Sequence, residues 1–192
     1  MQPMPAEMCD RADSLNRYLS FLVDALMLGL IAVLSHNISL DAERIGLHLN
    51  NWKYDALIGL IAGTLLVVSQ RLMLGLTHID PEHPFTSRVR KGTPLLWVSM
   101  FVTGAFSEEL WIAVCLVLFK ATGHSVAASV AMTTVVFAIM HYAYRIGGMV
   151  AVVSKGTVSA LLFLHYGSLV VTFLFHFVGN VGSLYLNRYW RR

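Results

Sequence analysis

Charge is what this sequence has least of. Asp, Glu, Lys and Arg make up 13% of its 192 residues, against 56% hydrophobic residues. An ordinary soluble domain carries about 25% charged residues. With so few charges a soluble domain of this length could not cover its apolar surface, and the mean hydropathy of +0.64 says the same. The scarcity excludes a disordered chain, a nucleic-acid-binding domain and a typical cytosolic enzyme. Cysteine is nearly absent too. Cys9 lies in a polar N-terminal stretch and Cys115 inside an apolar run, so no disulfide scaffold is expected. Cys115 reads as a small buried apolar residue. There is no internal repeat, no low-complexity tract and no His-Glu-x-x-His run.

What the chain has instead is long apolar runs. They cover about residues 18–35, 54–76, 95–119, 125–144, 149–164 and 168–186. Each approaches the roughly 20 residues that a spanning helix takes. In lipid the backbone must pair its own polar groups, and the runs are too long and too evenly apolar for barrel strands. The expected fold is therefore all-α, a polytopic transmembrane helical bundle of about six spans. Residues 1–192 are expected to form a single membrane-embedded domain. The first run, preceded by Arg11 and Arg17, reads as a retained signal-anchor helix. Gly147 and Gly148 are expected to punctuate the junction before the fifth run, and Gly167 to turn the chain between the fifth and sixth.

Basic residues orient such a bundle. With the N-terminus in the cytoplasm, the inner face carries Arg11, Arg17, Arg88, Arg90, Lys91, Arg145, Arg188, Arg191 and Arg192. The outer face carries Arg44, Lys53 and Lys120. That asymmetry predicts both termini cytoplasmic, and it assigns the net charge of +3 to membrane orientation, with no nucleic acid as partner.

Ionisable residues inside a span cost a few kcal/mol on insertion scales and need a reason. Glu108 and Glu109 lie near the middle of the third run. Two adjacent carboxylates at that depth point to function. The alternative is an ion pair with Arg71 or Lys155 that only holds helices together. His141 follows Phe137 by four residues, and His176 precedes Asn180 by four, so each pair shares a helical face. Either histidine alone reads as an interhelical hydrogen-bonder. Two carboxylates, two imidazoles and an amide on three spans supply the parts for hydrolysis by an activated water. Asp24, Arg71 and Lys155 are assigned to structure. His78, Asp80, Glu82 and His83 read as a solvated loop, since their spacing matches no metal site.

Glu108-Glu109, the run Phe137-Ala138-Ile139-Met140-His141, and the run His176-Phe177-Val178-Gly179-Asn180 resemble the CAAX protease and bacteriocin-processing (CPBP) family. These are intramembrane glutamic endopeptidases related to the CAAX prenyl protease. The resemblance covers about residues 95–187, the expected catalytic core. It implies that Glu108 and His141 deprotonate a water, that His176 and Asn180 stabilise the oxyanion, and that Glu109 supports the site. The family pattern has an arginine four residues after the second glutamate, where this chain has Ala113. Arg145, four residues after His141, is the expected substitute.

The expected function is thus an intramembrane endopeptidase acting on a membrane-tethered peptide or protein: a CAAX-like end, a leader, or a C-terminal anchor or sorting segment. A prokaryotic cytoplasmic membrane is the expected location, with the lipid bilayer as the other partner. No cofactor is expected; the alternative is zinc held by Glu108, His141 and His176. The alternative functions are a catalytically silent relative serving as an immunity or scaffold protein, favoured by Ala113, and a small transporter, for which inverted repeats would be expected.

Overall fold

The computed structural model describes residues 41–77, 94–141 and 146–189, together with Leu26, Gly29 and Val33. Residues 1–40 and 41–192 form two compact units. In the first, the three described residues are helical, and Leu26 and Val33 are exposed. The rest of the first apolar run, with Asp24, lies outside the described residues. So does the loop holding His78, Asp80, Glu82 and His83.

Among its described residues the second unit holds five helices and no strand. They are α1 (Trp52–Thr77), α2 (Pro94–Ala121), α3 (Val126–Met140), α4 (Ile146–Tyr166) and α5 (Leu169–Tyr189). The last five apolar runs therefore form one helix each. Among the described residues, two stretches, Trp52–Leu72 and Met149–Tyr166, are long and apolar enough to cross a membrane. At 1.5 Å per residue, 21 residues reach about 30 Å, the thickness of a hydrocarbon core. Val126–Met140 and Leu169–Gly182 are shorter apolar helices.

Two boundaries differ from the sequence reading. The fourth run was expected to continue to Tyr144, but α3 stops at Met140. The His141 ring ends it: the backbone N–H of His141 turns to Ala138 O at 2.9 Å, and ring Nδ1 takes the Phe137 carbonyl at 2.8 Å. That carbonyl is the one the helix would have used at the next step, so His141 caps its own helix. Gly147 and Gly148 do not break the chain, because α4 already begins at Ile146. Each helical glycine costs about 1 kcal/mol relative to alanine. An unpaired backbone group in apolar surroundings costs several.

Gly167 does make the expected turn. It has φ +62° and joins α4 to α5 with only Ser168 beside it. Residues 41–51 close over this turn. Leu169 N donates to Gly46 O at 3.0 Å, and His48 Nε2 donates to Gly167 O at 2.9 Å. Gly46, at φ +77°, lies so near that a Cβ on it would meet Gly167 O at 2.8 Å. At the other junction, Ser125 caps α3 by accepting from Ala128 N.

Helices α1 and α5 form the most extensive pair. Their contact is built from glycine. A Cβ on Gly59 would meet Val171 O at 2.5 Å, one on Gly63 would meet Val178 Cβ at 2.7 Å, and one on Gly182 would meet Val67 Cγ2 at 2.5 Å. Gly59 and Gly63 are four apart, the spacing that lets two membrane helices approach backbone to backbone. The remaining helices share an apolar core of Ile112, Ala113 and Leu116 from α2, Val130 and Phe137 from α3, Ala160 and Phe163 from α4, and Leu169 from α5. Thr134 and Thr157 add a polar tie between α3 and α4 at 3.3 Å. Large apolar side chains such as Leu57, Leu65, Leu72, Val135, Ile139 and Leu161 stay exposed on the outside, as lipid-facing residues do.

Candidate active site

The interior of α2 to α5 holds one polar cluster. Glu108 and Glu109 are neighbours on α2, so their side chains leave the helix about 100° apart. The structure sends them to different environments. Glu109 is fully buried. It accepts from Ser159 on α4 through Oε2, and pairs with His176 Nδ1 on α5 through Oε1 at 2.5 Å. Glu108 keeps 25% of its side chain exposed and faces both imidazoles. Its Oε2 lies 3.0 Å from His176 Nε2 and 3.6 Å from His141 Nε2.

The imidazoles are fixed in different ways. A carbonyl only accepts, so His141 Nδ1 must carry a proton to bond Phe137 O. In the neutral ring Nε2 is then the acceptor nitrogen, and it faces Glu108. Only 14% of the His141 side chain is exposed, and none of His176. His176 Nδ1 is occupied by Glu109. Its Nε2, although 3.0 Å from Glu108, is not aligned to hydrogen-bond any group among the described residues. Phe137 packs against both rings, tilted against His141 with centroids 4.5 Å apart and edge-on to His176 at 6.2 Å. Gly156 makes room for it: a Cβ there would meet Phe137 Cδ1 at 2.7 Å.

Asn180, one turn after His176, enters the cluster through a residue that the sequence reading had assigned to structure. Lys155 Nζ donates to Asn180 Oδ1 at 2.6 Å. The same ammonium interacts electrostatically with Glu108 and Glu109. Lys155 and Ser159 are four apart on α4, so one face of that helix supports both the Glu109 carboxylate and the Asn180 amide. That spacing was visible in the sequence. The sequence reading weighed Lys155 as an ion-pair partner of the glutamates, and gave Ser159 no role because a serine in an apolar run carries no charge.

The structure therefore brings Glu108, Glu109, His141 and His176 into contact and adds Asn180, Lys155 and Ser159 to them. Arg145, the expected substitute for the family arginine, lies outside the described residues. Ala113, where that arginine would fall, is completely buried in the apolar core. Arg71 on α1 has partners of its own. Cys115 is buried and forms no disulfide. Among the described residues no group of three His, Cys, Asp or Glu side chains is arranged to hold a metal ion. Glu108, His141 and His176 meet as pairing partners, with the carboxylate oxygen against the rings.

A chain whose described elements are all helices, with apolar spans and carboxylates paired to imidazoles in its interior, is of the class of helical membrane proteins with an internal polar site. The family is narrower. The model of the family described as "Type II CAAX prenyl endopeptidase Rce1-like" matches residues 90–182, and over those residues the chain is similar to it. The match takes in α2, α3, α4 and most of α5, and bears out the resemblance carried by the three sequence motifs. It is a family of membrane-embedded endopeptidases. No curated protein and no solved structure matches the chain.

Proposed function

We propose that the chain is an intramembrane endopeptidase that hydrolyses a peptide bond in a membrane-tethered peptide or protein. The observation that carries this reading is the partly open Glu108 carboxylate set between His141 Nε2 and His176 Nε2. Three helices supply the three groups, and the family match supports peptide bonds as the target.

The chemistry follows from exposure and proton bookkeeping. A water bound beside Glu108 and His141 gives up a proton to this pair as its oxygen attacks the peptide carbonyl carbon. The carbonyl oxygen takes the negative charge. The Asn180 amide and His176 Nε2 are the donors for it, the latter while the Glu109–His176 pair holds the extra proton that leaves both ring nitrogens protonated. His176 Nε2 is covered by Glu108, so the Glu108 carboxylate swings toward His141 as the substrate oxygen arrives. The C–N bond then breaks, and the leaving amine receives the proton held by the Glu108–His141 pair. Glu109 does not meet the water. It is buried behind His176 and holds that ring through Nδ1. The difference in exposure supports the roles that the family resemblance implies for the two glutamates.

The bundle in this reading has six spans with both termini on the cytoplasmic side, in a prokaryotic cytoplasmic membrane. The catalyst is metal-free, since Asn180 suits an oxyanion better than zinc. The substrate is a CAAX-like end, a leader or a C-terminal anchor segment.

The test is cleavage of a panel of prenylated and unmodified anchor peptides by the reconstituted full chain, read by mass spectrometry with and without chelator. Wild-type cleavage that Glu108→Gln reduces by about 10²-fold or more, and that chelator leaves unchanged, is expected. Loss to chelator restored by zinc would overturn the metal-free mechanism. Equal cleavage by wild type and Glu108→Gln would overturn the proposed base.

A further inference from the structure

Asn180 can stabilise an oxyanion only through its NH₂ group, so something must hold the amide with that end toward the substrate. An unrestrained carboxamide presents oxygen and nitrogen about equally well, and an oxygen aimed at a developing oxyanion would repel it. The Lys155 ammonium is 2.6 Å from the Asn180 amide. An ammonium has three donors and no acceptor, so the atom it meets has to be Oδ1. The amide's donor end is thereby left to the opposite side.

The geometry points to Lys155 as a positioning residue for hydrolysis: it fixes the Asn180 carboxamide with its NH₂ toward the substrate carbonyl, and it supplies the one cation that faces the glutamate pair from α4. This rests on the proposed endopeptidase reading and goes beyond it, since Lys155 belongs to none of the three motifs.

Three further observations agree. Helix α2 carries no basic residue before Lys120 at its end, so it offers the glutamates no cation of its own. Position 113, one turn after Glu109, is alanine packed among Ile112, Leu116, Val130 and Phe163. Lys155 interacts electrostatically with both Glu108 and Glu109. Lys155 is half-buried, and its ammonium is hydrogen-bonded to Asn180. Gly156 also lets Phe137 lie close against α4, so the lysine adjoins the glycine that seats the aromatic floor of the histidines.

The experiment uses the full chain in detergent or liposomes, on the peptide that wild type cleaves best. Lys155→Met keeps the length and apolar stem of the side chain and removes the donor. It is expected to lower kcat by about 10²-fold and to change KM by less than about threefold. Asn180→Ala is expected to fall to the same level. The double variant is expected to fall no further, because the two residues act as one unit. Lys155→Arg should retain most of the activity, and methylammonium should restore part of it to Lys155→Ala. A Lys155→Met enzyme as fast as wild type, or losses that multiply in the double variant, would overturn the inference.

A second readout needs no turnover. In protein labelled with ¹⁵N-asparagine, the Asn180 side-chain NH₂ signals, assigned through Asn180→Ala, should report a restrained amide in wild type and a freely rotating one in Lys155→Met. Unchanged signals would overturn the positioning role, including for a Lys155→Met variant too unstable for kinetics. If wild type cleaves nothing, the endopeptidase reading fails, while these signals still decide whether Lys155 orients Asn180.

Discussion

Glu109 Oε1 lies 2.5 Å from His176 Nδ1, and neither side chain is exposed. The two residues are 67 positions apart, so this contact ties α2 to the last helix in the core of the bundle. Removing one member of a buried pair strands the other. The usual cost of that is about 3–5 kcal/mol. Glu109→Ala is therefore expected to lower the thermal unfolding midpoint in detergent sharply. Glu109→Gln, which can still accept from Ser159, should lose less. A Glu109→Ala midpoint equal to wild type would show that the pair does not hold the helices.

Gly156 sets the position of Phe137. A single methyl there would meet the ring at 2.7 Å and push it toward His141 and His176. Overpacking of this kind costs about 1–3 kcal/mol. Gly156→Ala is expected to reduce both the unfolding midpoint and kcat. Phe137→Leu in the same protein should recover part of the midpoint. Gly104→Ala is the matching control, since a Cβ at Gly104 meets nothing within 4 Å. That change should stabilise α2 by about 0.5–1 kcal/mol.

Ala113→Arg would restore the family pattern in sequence, yet it is not expected to restore anything in this fold. Position 113 is fully buried among aliphatic side chains. A guanidinium placed there must displace them and lose its hydration together. The expected result is poor insertion or a lowered midpoint, with no gain in peptide cleavage. A stable and faster Ala113→Arg enzyme would show that the core opens to admit the side chain.

The α1–α5 contact offers a fourth test. Gly59→Leu should separate the two helices, because even a Cβ at Gly59 would meet Val171 O at 2.5 Å. Both the midpoint and the activity are expected to fall, although Gly59 lies far along the chain from every motif residue. Leu57→Ala, on an exposed position of the same helix, should leave both unchanged.

Much of this architecture was legible in the sequence because desolvation leaves a strong record. Runs of about 20 apolar residues gave α1, α2, α4 and α5 to within a few positions. The site residues were legible because a carboxylate or an imidazole at such depth is costly and conspicuous. The division of labour between Glu108 and Glu109 came only with the family resemblance, not from the run itself. Helix α2 is apolar on all sides, so its sequence does not show which way it is rotated, and 100° of rotation exchanges the buried glutamate for the open one. The contact between Lys155 and Asn180 was hidden for a related reason. The lysine's four-residue spacing from Ser159 was plain, but the partner that gives it meaning, Asn180, comes 25 residues later on another helix. The end of α3 at His141 depends on one side chain taking the place of a backbone donor, and hydropathy does not register that exchange.

The glycine seam between α1 and α5 also sets what has to be inherited together. The stretch that carries the family signature begins at residue 90, after α1 has ended. Yet α5, which bears His176 and Asn180, has its back moulded to Gly59 and Gly63 of α1. The signature therefore marks where the chemistry is written and stops short of the piece that keeps the last helix upright. A transplant or truncation cut at the signature's edge would carry the reactive groups and leave their brace behind.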